Sequence, residues 1–215
     1  MRPTITKQEI PRVRQWRGSP LSPVDEALLF HGRRFAESFR RLIKLLQDEG
    51  IEYVVIGELA AAAHRCSRAT PNIDLCVREV GLACFRERLA GKVYDAVEGH
   101  ASWFRDRLTQ VIVRLHRSGD WAGYKGRSRE IRFPDPGEAV AVEGLRTVSL
   151  ERLIALKLVT WRRKDWADVI ALIRENRLDE GFAQKLPGFL RMAYLQCYDE
   201  MREEDRYEKE LDEEP

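Results

Sequence analysis

The stretch YVVIGELAAAAHRCSRATPNIDLCV, residues 53–77, decides how the rest of the chain is read. Residues 51–56, IEYVVI, are a short β-branched run that predicts a buried strand, and Gly57 breaks it. ELAAAAHRC (58–66) is a small-residue segment that a helix can bring close to a sheet, and IDLCV (73–77) predicts a second strand. Side chains two apart on a strand point to the same side, so Asn72 and Asp74 face one way. Two carboxylates at that spacing, opposite a glycine turn, let a strand hold a divalent cation against a phosphate chain. Here the first of the pair is an amide, Asn72. An amide is neutral and a poorer magnesium ligand.

Upstream of this stretch, Ser22-Pro23 offers an N-cap and a first helical position, with Asp25 and Glu26 in the first turn. Phe35, Phe39, Leu42, Ile43 and Leu46 then recur at helical spacing until Gly50. Downstream, the pattern predicts a helix across 80–90 and strands in VYDAV (93–97) and QVIVRL (110–115). Residues 116–148 are glycine- and proline-rich with short strand-like pieces, a length that implies hairpins or a functional loop. From Ser149 the chain turns helical, in LERLIALKLVTW (150–161), KDWADVIALIREN (164–176) and about residues 188–207. The expected fold class is therefore α+β (mixed α/β), a small mixed sheet flanked by helices with a helical C-terminal region. The expected organisation is an N-terminal arm (1–21), an α/β core (22–148), a helical region packed on it (149–207) and an acidic tail (208–215).

Composition narrows the function classes. With 215 residues, 44% of them apolar, the chain can bury a real core. A formal net charge of +2 gives no global argument for nucleic acid, although PRVRQWRGSP near the start is basic and the last residues are mostly acidic. No apolar run approaches the roughly 20 residues that span a bilayer, so no membrane partner is expected. The four cysteines form no C-x-x-C pair and imply neither zinc nor a disulfide framework. A reducing cytoplasm is the expected setting.

The order strand, glycine turn, small-residue helix, Arg68-x-Thr70-x-Asn72-x-Asp74, strand resembles the R-x-T-x-D-x-D pattern of the nucleotidyltransferase superfamily. More particularly, it looks like the minimal nucleotidyltransferases related to the abortive-infection toxins of toxin–antitoxin systems. A second matching piece lies downstream, a helix bearing Lys157, then Arg162, Lys164, Asp165 and Asp168, and together the two span about residues 35–175. The resemblance implies catalytic roles for Asp74, Lys157 and Asp165, with nucleotide binding by Gly57, Arg68, Thr70 and Lys157. Asp74 would ligate magnesium. It also implies a nucleoside triphosphate, a protein partner such as an antitoxin, and RNA as the candidate partners.

The departures from that pattern shape the expectation. The paired glycines become Gly57-Glu58, the first metal aspartate becomes Asn72, and the third aligns with Arg114. A guanidinium cannot ligate a cation. One metal carboxylate of the expected three is left, Asp74, which is expected to pair with Arg114, with Glu58 joining. Three functions follow: a degenerate nucleotidyltransferase, or pseudoenzyme, keeping nucleotide or partner binding; an active magnesium-dependent enzyme using Glu58 or Asp120 as substitute ligands, transferring a nucleoside monophosphate to RNA, protein or a small molecule; or an interaction protein on this scaffold. Magnesium is expected only in the second. Plain structural roles stand beside these readings: Lys157 among Leu153, Leu156 and Val159 fits a snorkelling lysine, Arg68 and Thr70 fit a turn cap, and Asp165 and Asp168 fit an ordinary first helical turn. His64 and His116 lack metal-ligand spacing and are expected to be structural or exposed.

Overall fold

The computed structural model describes residue 28 and residues 32–66, 72–123 and 130–213. The N-terminal arm, the Ser22-Pro23 cap, Arg68, Thr70 and the basic YKGRSR segment lie outside the described residues.

Helix α1 (Arg33–Asp48) buries Phe35, Phe39, Leu42 and Leu46, the stripe that the spacing predicts. It does not run unbroken from residue 23, because Gly32 at its N-cap has φ 88°, outside the helical region. Strand β1 (Tyr53–Val55) leads through Gly57 into α2 (Gly57–Ala63), then β2 (Asn72–Val77) and α3 (Glu79–Arg88). Strands β3 (Tyr94–Ala96), β4 (Trp103–Asp106) and β5 (Ile112–Arg117) follow, of which β4 carries no clear pattern in the sequence. A hairpin of β6 (Val140–Val142) and β7 (Leu145–Thr147) turns at Glu143 and Gly144, both at positive φ, as a tight two-residue connection requires. The chain ends in α4 (Leu150–Leu158), α5 (Arg163–Glu175) and α6 (Gly188–Glu213). Helix α6 continues past residue 207, so the acidic sequence that follows is helical through Glu213.

Among the described residues one seven-stranded mixed sheet runs in the order β3-β4-β5-β2-β1-β7-β6. Strand β2 sits at its centre, antiparallel to β1 and parallel to β5. Alternation along β2 separates two cores. Ile73, Leu75 and Val77 join Val113, Leu115 and Phe104 under α1 and α3, whereas Cys76 and Val54 join the helices α4, α5 and α6. Fully buried side chains such as Leu42 and Leu75 contribute roughly 1.5–3 kcal/mol each. Asn72 and Asp74 alternate with Ile73 and Leu75, so they belong to the face on which the C-terminal helices pack. The fold is a mixed α+β fold with a helical C-terminal region, as the sequence pattern predicts.

Candidate functional site

Two charge clusters lie on this face, one beside Gly57 and the other at Glu58, the first two residues of the short helix α2. The first is centred on Asp74, whose side chain is only 6% exposed. The parallel register of β2 and β5 places Arg114 directly opposite it, and β4 places Trp103 opposite Arg114. Arg114 donates to Asp74 Oδ2 and forms the ion pair expected from the sequence. Its guanidinium also lies 5.3 Å from the Trp103 ring centre, and His100 stacks on Trp103 at 3.8 Å.

His116, two residues along β5 from Arg114 and on the same face, puts Nε2 3.0 Å from Asp74 Oδ1. It is partly buried and holds a structural contact, within the expectation, although its place beside Asp74 is not part of that expectation. Metal-ligand spacing was the wrong signal for this histidine; the period of two along a strand opposite Asp74 is the one that finds it. Burial alone would raise the Asp74 carboxyl, but the His116 hydrogen bond and the Arg114 charge outweigh it and hold it below the ordinary value.

Gly57 closes the site from the other side. Its φ of 69° suits glycine, and a Cβ added there would stand 3.0 Å from Asp74 Oδ2. Only the smallest residue lets the β1–α2 turn approach this carboxylate so closely.

The second cluster is centred on Lys157, near the end of α4 and 5% exposed. Its Nζ lies 2.7 Å from Asp168, 3.4 Å from Glu58 and 4.0 Å from Asp165. Burial alone would depress the ammonium, but the nearby carboxylates, Glu58 and Asp168 foremost, raise it above the ordinary value. Lys157 is thus a buried ion-pair partner and not a snorkelling lysine. Glu58 turns to Lys157 and to Lys164, 3.7 Å away, and does not join Arg114 and Asp74. That overturns the expected three-way pair, for a local reason: as the second residue of α2, Glu58 projects toward the α4–α5 connection. Asp165 is held by Thr160 and by Arg162 at 2.5 Å, so the TWRRKD turn is tied back onto itself. Trp161 in that turn has φ 54°, a left-handed conformation that costs a non-glycine residue about 1–2 kcal/mol.

Neither cluster fits a divalent cation as it stands. Both Asp74 oxygens are engaged by cationic or donor groups, and the facing position on β5 supplies Arg114 where a second carboxylate is needed. Glu58, Asp165 and Asp168 do bring carboxylate oxygens within 4.8 Å of one another, a spacing a metal could use. The Lys157 ammonium takes that place among them. Asp120, the other substitute ligand considered, is tied to Arg117 at 2.6 Å on the surface. His64 donates through Nε2 to the Val148 carbonyl at 2.9 Å, a structural contact as expected.

No family model matches the sequence, and no curated protein matches it. Among solved structures, the chain is similar to the solution structure of the antibiotic-resistance factor ANT(2'')-Ia. The identity is 17% and the TM-score 0.43, over 79% of this chain and 95% of that one. A likeness of that degree assigns neither family nor activity.

Proposed function

We propose that this chain is a nucleotidyltransferase-like protein whose two-metal centre has been replaced by internal ion pairs, and that it keeps metal-independent nucleotide binding. The observation that carries the proposal is the state of Asp74, the remaining carboxylate of the motif, which is paired with Arg114 and hydrogen-bonded by His116. The strand–Gly57–α2–β2 order and the convergence of Lys157, Asp165 and Asp168 support the scaffold. Phosphoryl and nucleotidyl transfer need cationic clamps on the triphosphate. Without magnesium at Asp74, that part falls to cationic side chains, among which the described residues place Arg114, Lys157, Arg162 and Lys164 at the two clusters.

A second reading, an active magnesium-dependent transferase of the toxin type acting on RNA, protein or a small molecule and silenced by an antitoxin, is favoured by Glu58 lying with Asp165 and Asp168. Calorimetric titration with nucleoside triphosphates, with magnesium and with EDTA, separates the two. Equal affinity in both buffers supports the proposal. Tightening by magnesium supports the second reading, and no binding in either buffer leaves an interaction protein on this scaffold.

A further inference from the structure

A nucleotide bound without metal needs a surface for its base, and the described tryptophans differ sharply in what covers them. Trp103 is stacked by His100 and approached by the Arg114 guanidinium. Trp121 carries the Arg132 guanidinium 3.8 Å over its ring. Trp166 is half-buried, with its indole N–H donating to Glu200 at 2.9 Å. Trp161 is 56% exposed, and its ring contact is a tilted one with Trp166 at 6.0 Å. The Glu200 bond fixes Trp166, and Trp166 in turn backs Trp161. The left-handed backbone at Trp161 is a conformation that glycine would adopt without strain, yet an indole stands there.

The residues that follow supply cations. Arg162 is committed to Asp165, and Lys164 lies 3.7 Å from Glu58. Arg163 is exposed and has no ion-pair partner among the described residues. The exposed ring and the exposed guanidinium thus sit two residues apart on a turn braced by Thr160 and Asp165.

We propose that Trp161 is a base-stacking platform and that Arg163, with Lys164, faces the phosphates, forming a metal-independent subsite for a single nucleotide. The proposal rests on the nucleotide-binding reading given above. Every nucleobase presents a π-face to an indole, so the platform accepts any base. A guanidinium meets phosphate oxygens in a bidentate fork, and a lysine adds a point charge. One nucleotide fits better than a strand. Residues 199–213 of the neighbouring α6 carry nine acidic and three basic side chains, and Glu200 already touches Trp166, so a long polyanion would meet like charge.

The test titrates the full chain in EDTA with adenosine and uridine triphosphates, following tryptophan fluorescence. Inorganic tripolyphosphate and a single-stranded RNA oligonucleotide serve as further probes. Both nucleotides should quench the fluorescence and bind more tightly than tripolyphosphate or the oligonucleotide. Trp161→Ala should weaken nucleotide binding about tenfold or more, and Trp161→Phe should restore most of it. Arg163→Ala should weaken binding and flatten its salt dependence. Trp161→Gly should melt no lower than the parent, since glycine relieves the backbone, so its loss of binding cannot be a loss of fold. If the parent binds nucleotide and Trp161→Ala binds it equally, the subsite is overturned while the nucleotide-binding function stands. If RNA binds more tightly than either nucleotide, the single-nucleotide assignment is overturned. If no nucleotide binds the parent, the function and the subsite fall together.

Discussion

The two charge clusters are near inversions of one another. At Asp74 one carboxylate sits between a guanidinium and an imidazole, whereas at Lys157 one ammonium sits among three carboxylates. Both occupy the sheet face covered by the C-terminal helices, and both compensate buried charge with protein groups. On the proposed reading, a cation-binding site becomes self-sufficient in two ways: by exchanging a ligand for a cation, as at Arg114, or by placing a cation among ligands, as at Lys157. The first way removes the possibility of metal binding, while the second only blocks it. That difference orders the predictions.

The largest effect is expected at Lys157. Lys157→Met leaves three carboxylates around an empty centre, and breaking a buried pair of this kind costs about 3–5 kcal/mol, readable by urea denaturation. If the ammonium only blocks a cation site, calcium or magnesium should recover part of that loss in Lys157→Met and leave the parent unchanged, because the carboxylate oxygens lie within 4.8 Å. An unchanged midpoint in the variant would show that the cluster is not stabilised as described.

Arg114→Ala is expected to cost less, about 2–3 kcal/mol. Arg114 is 21% exposed and His116 still serves Asp74 after its removal. The same denaturation experiment reads it, and a variant that unfolds with the parent would break the pairing.

The clusters also differ in the pH range over which each contributes. Lys157 is raised in the folded chain, so its contribution is complete below the ordinary value of 10.5 and lost as pH rises through the raised value. Asp74 is lowered, so its contribution is complete above 3.8 and lost as pH falls through the lowered value. Stability against pH should therefore lose its alkaline limb in Lys157→Met and part of its acid limb in Asp74→Asn. The reverse assignment of limbs would contradict the account.

The smallest effect belongs to His116→Gln, which exchanges one donor to Asp74 for another and should cost about 1 kcal/mol or less. A loss as large as that of Arg114→Ala would mean that His116 carries the pair.

The two clusters were unequally legible in the sequence. The Asp74 cluster follows from local rules: Gly57 ends a strand, Asn72 and Asp74 share a side, and QVIVRL supplies Arg114 to a neighbouring strand. Even so, His116 is missed unless the β5 period is carried one step past Arg114. The Lys157 cluster joins residues as far apart as Glu58 and Lys157, through the packing of α2 against α4 and α5, and no periodicity reports such a contact. Strand β4 was illegible because WFRD is short and borrows its order from pairing with β3 and β5. The stripe from Phe35 to Leu46 was legible from its spacing, and the helix that carries it starts at Arg33, after Gly32 at φ 88°.

The most direct measurement is magnesium titration of the parent, of Asp74→Ala and of the double variant Asn72→Asp with Arg114→Asp, alongside turnover of a nucleoside triphosphate. Restoring the two carboxylates adds full negative charge at contact distance, so the double variant should bind magnesium more tightly than the parent. Adding Asp74→Ala should abolish that gain. In the parent, Asp74→Ala should change neither magnesium affinity nor turnover. A parent that turns over nucleotide with magnesium and loses that activity on Asp74→Ala would contradict the account, and would make Asn72 a working ligand beside Asp74.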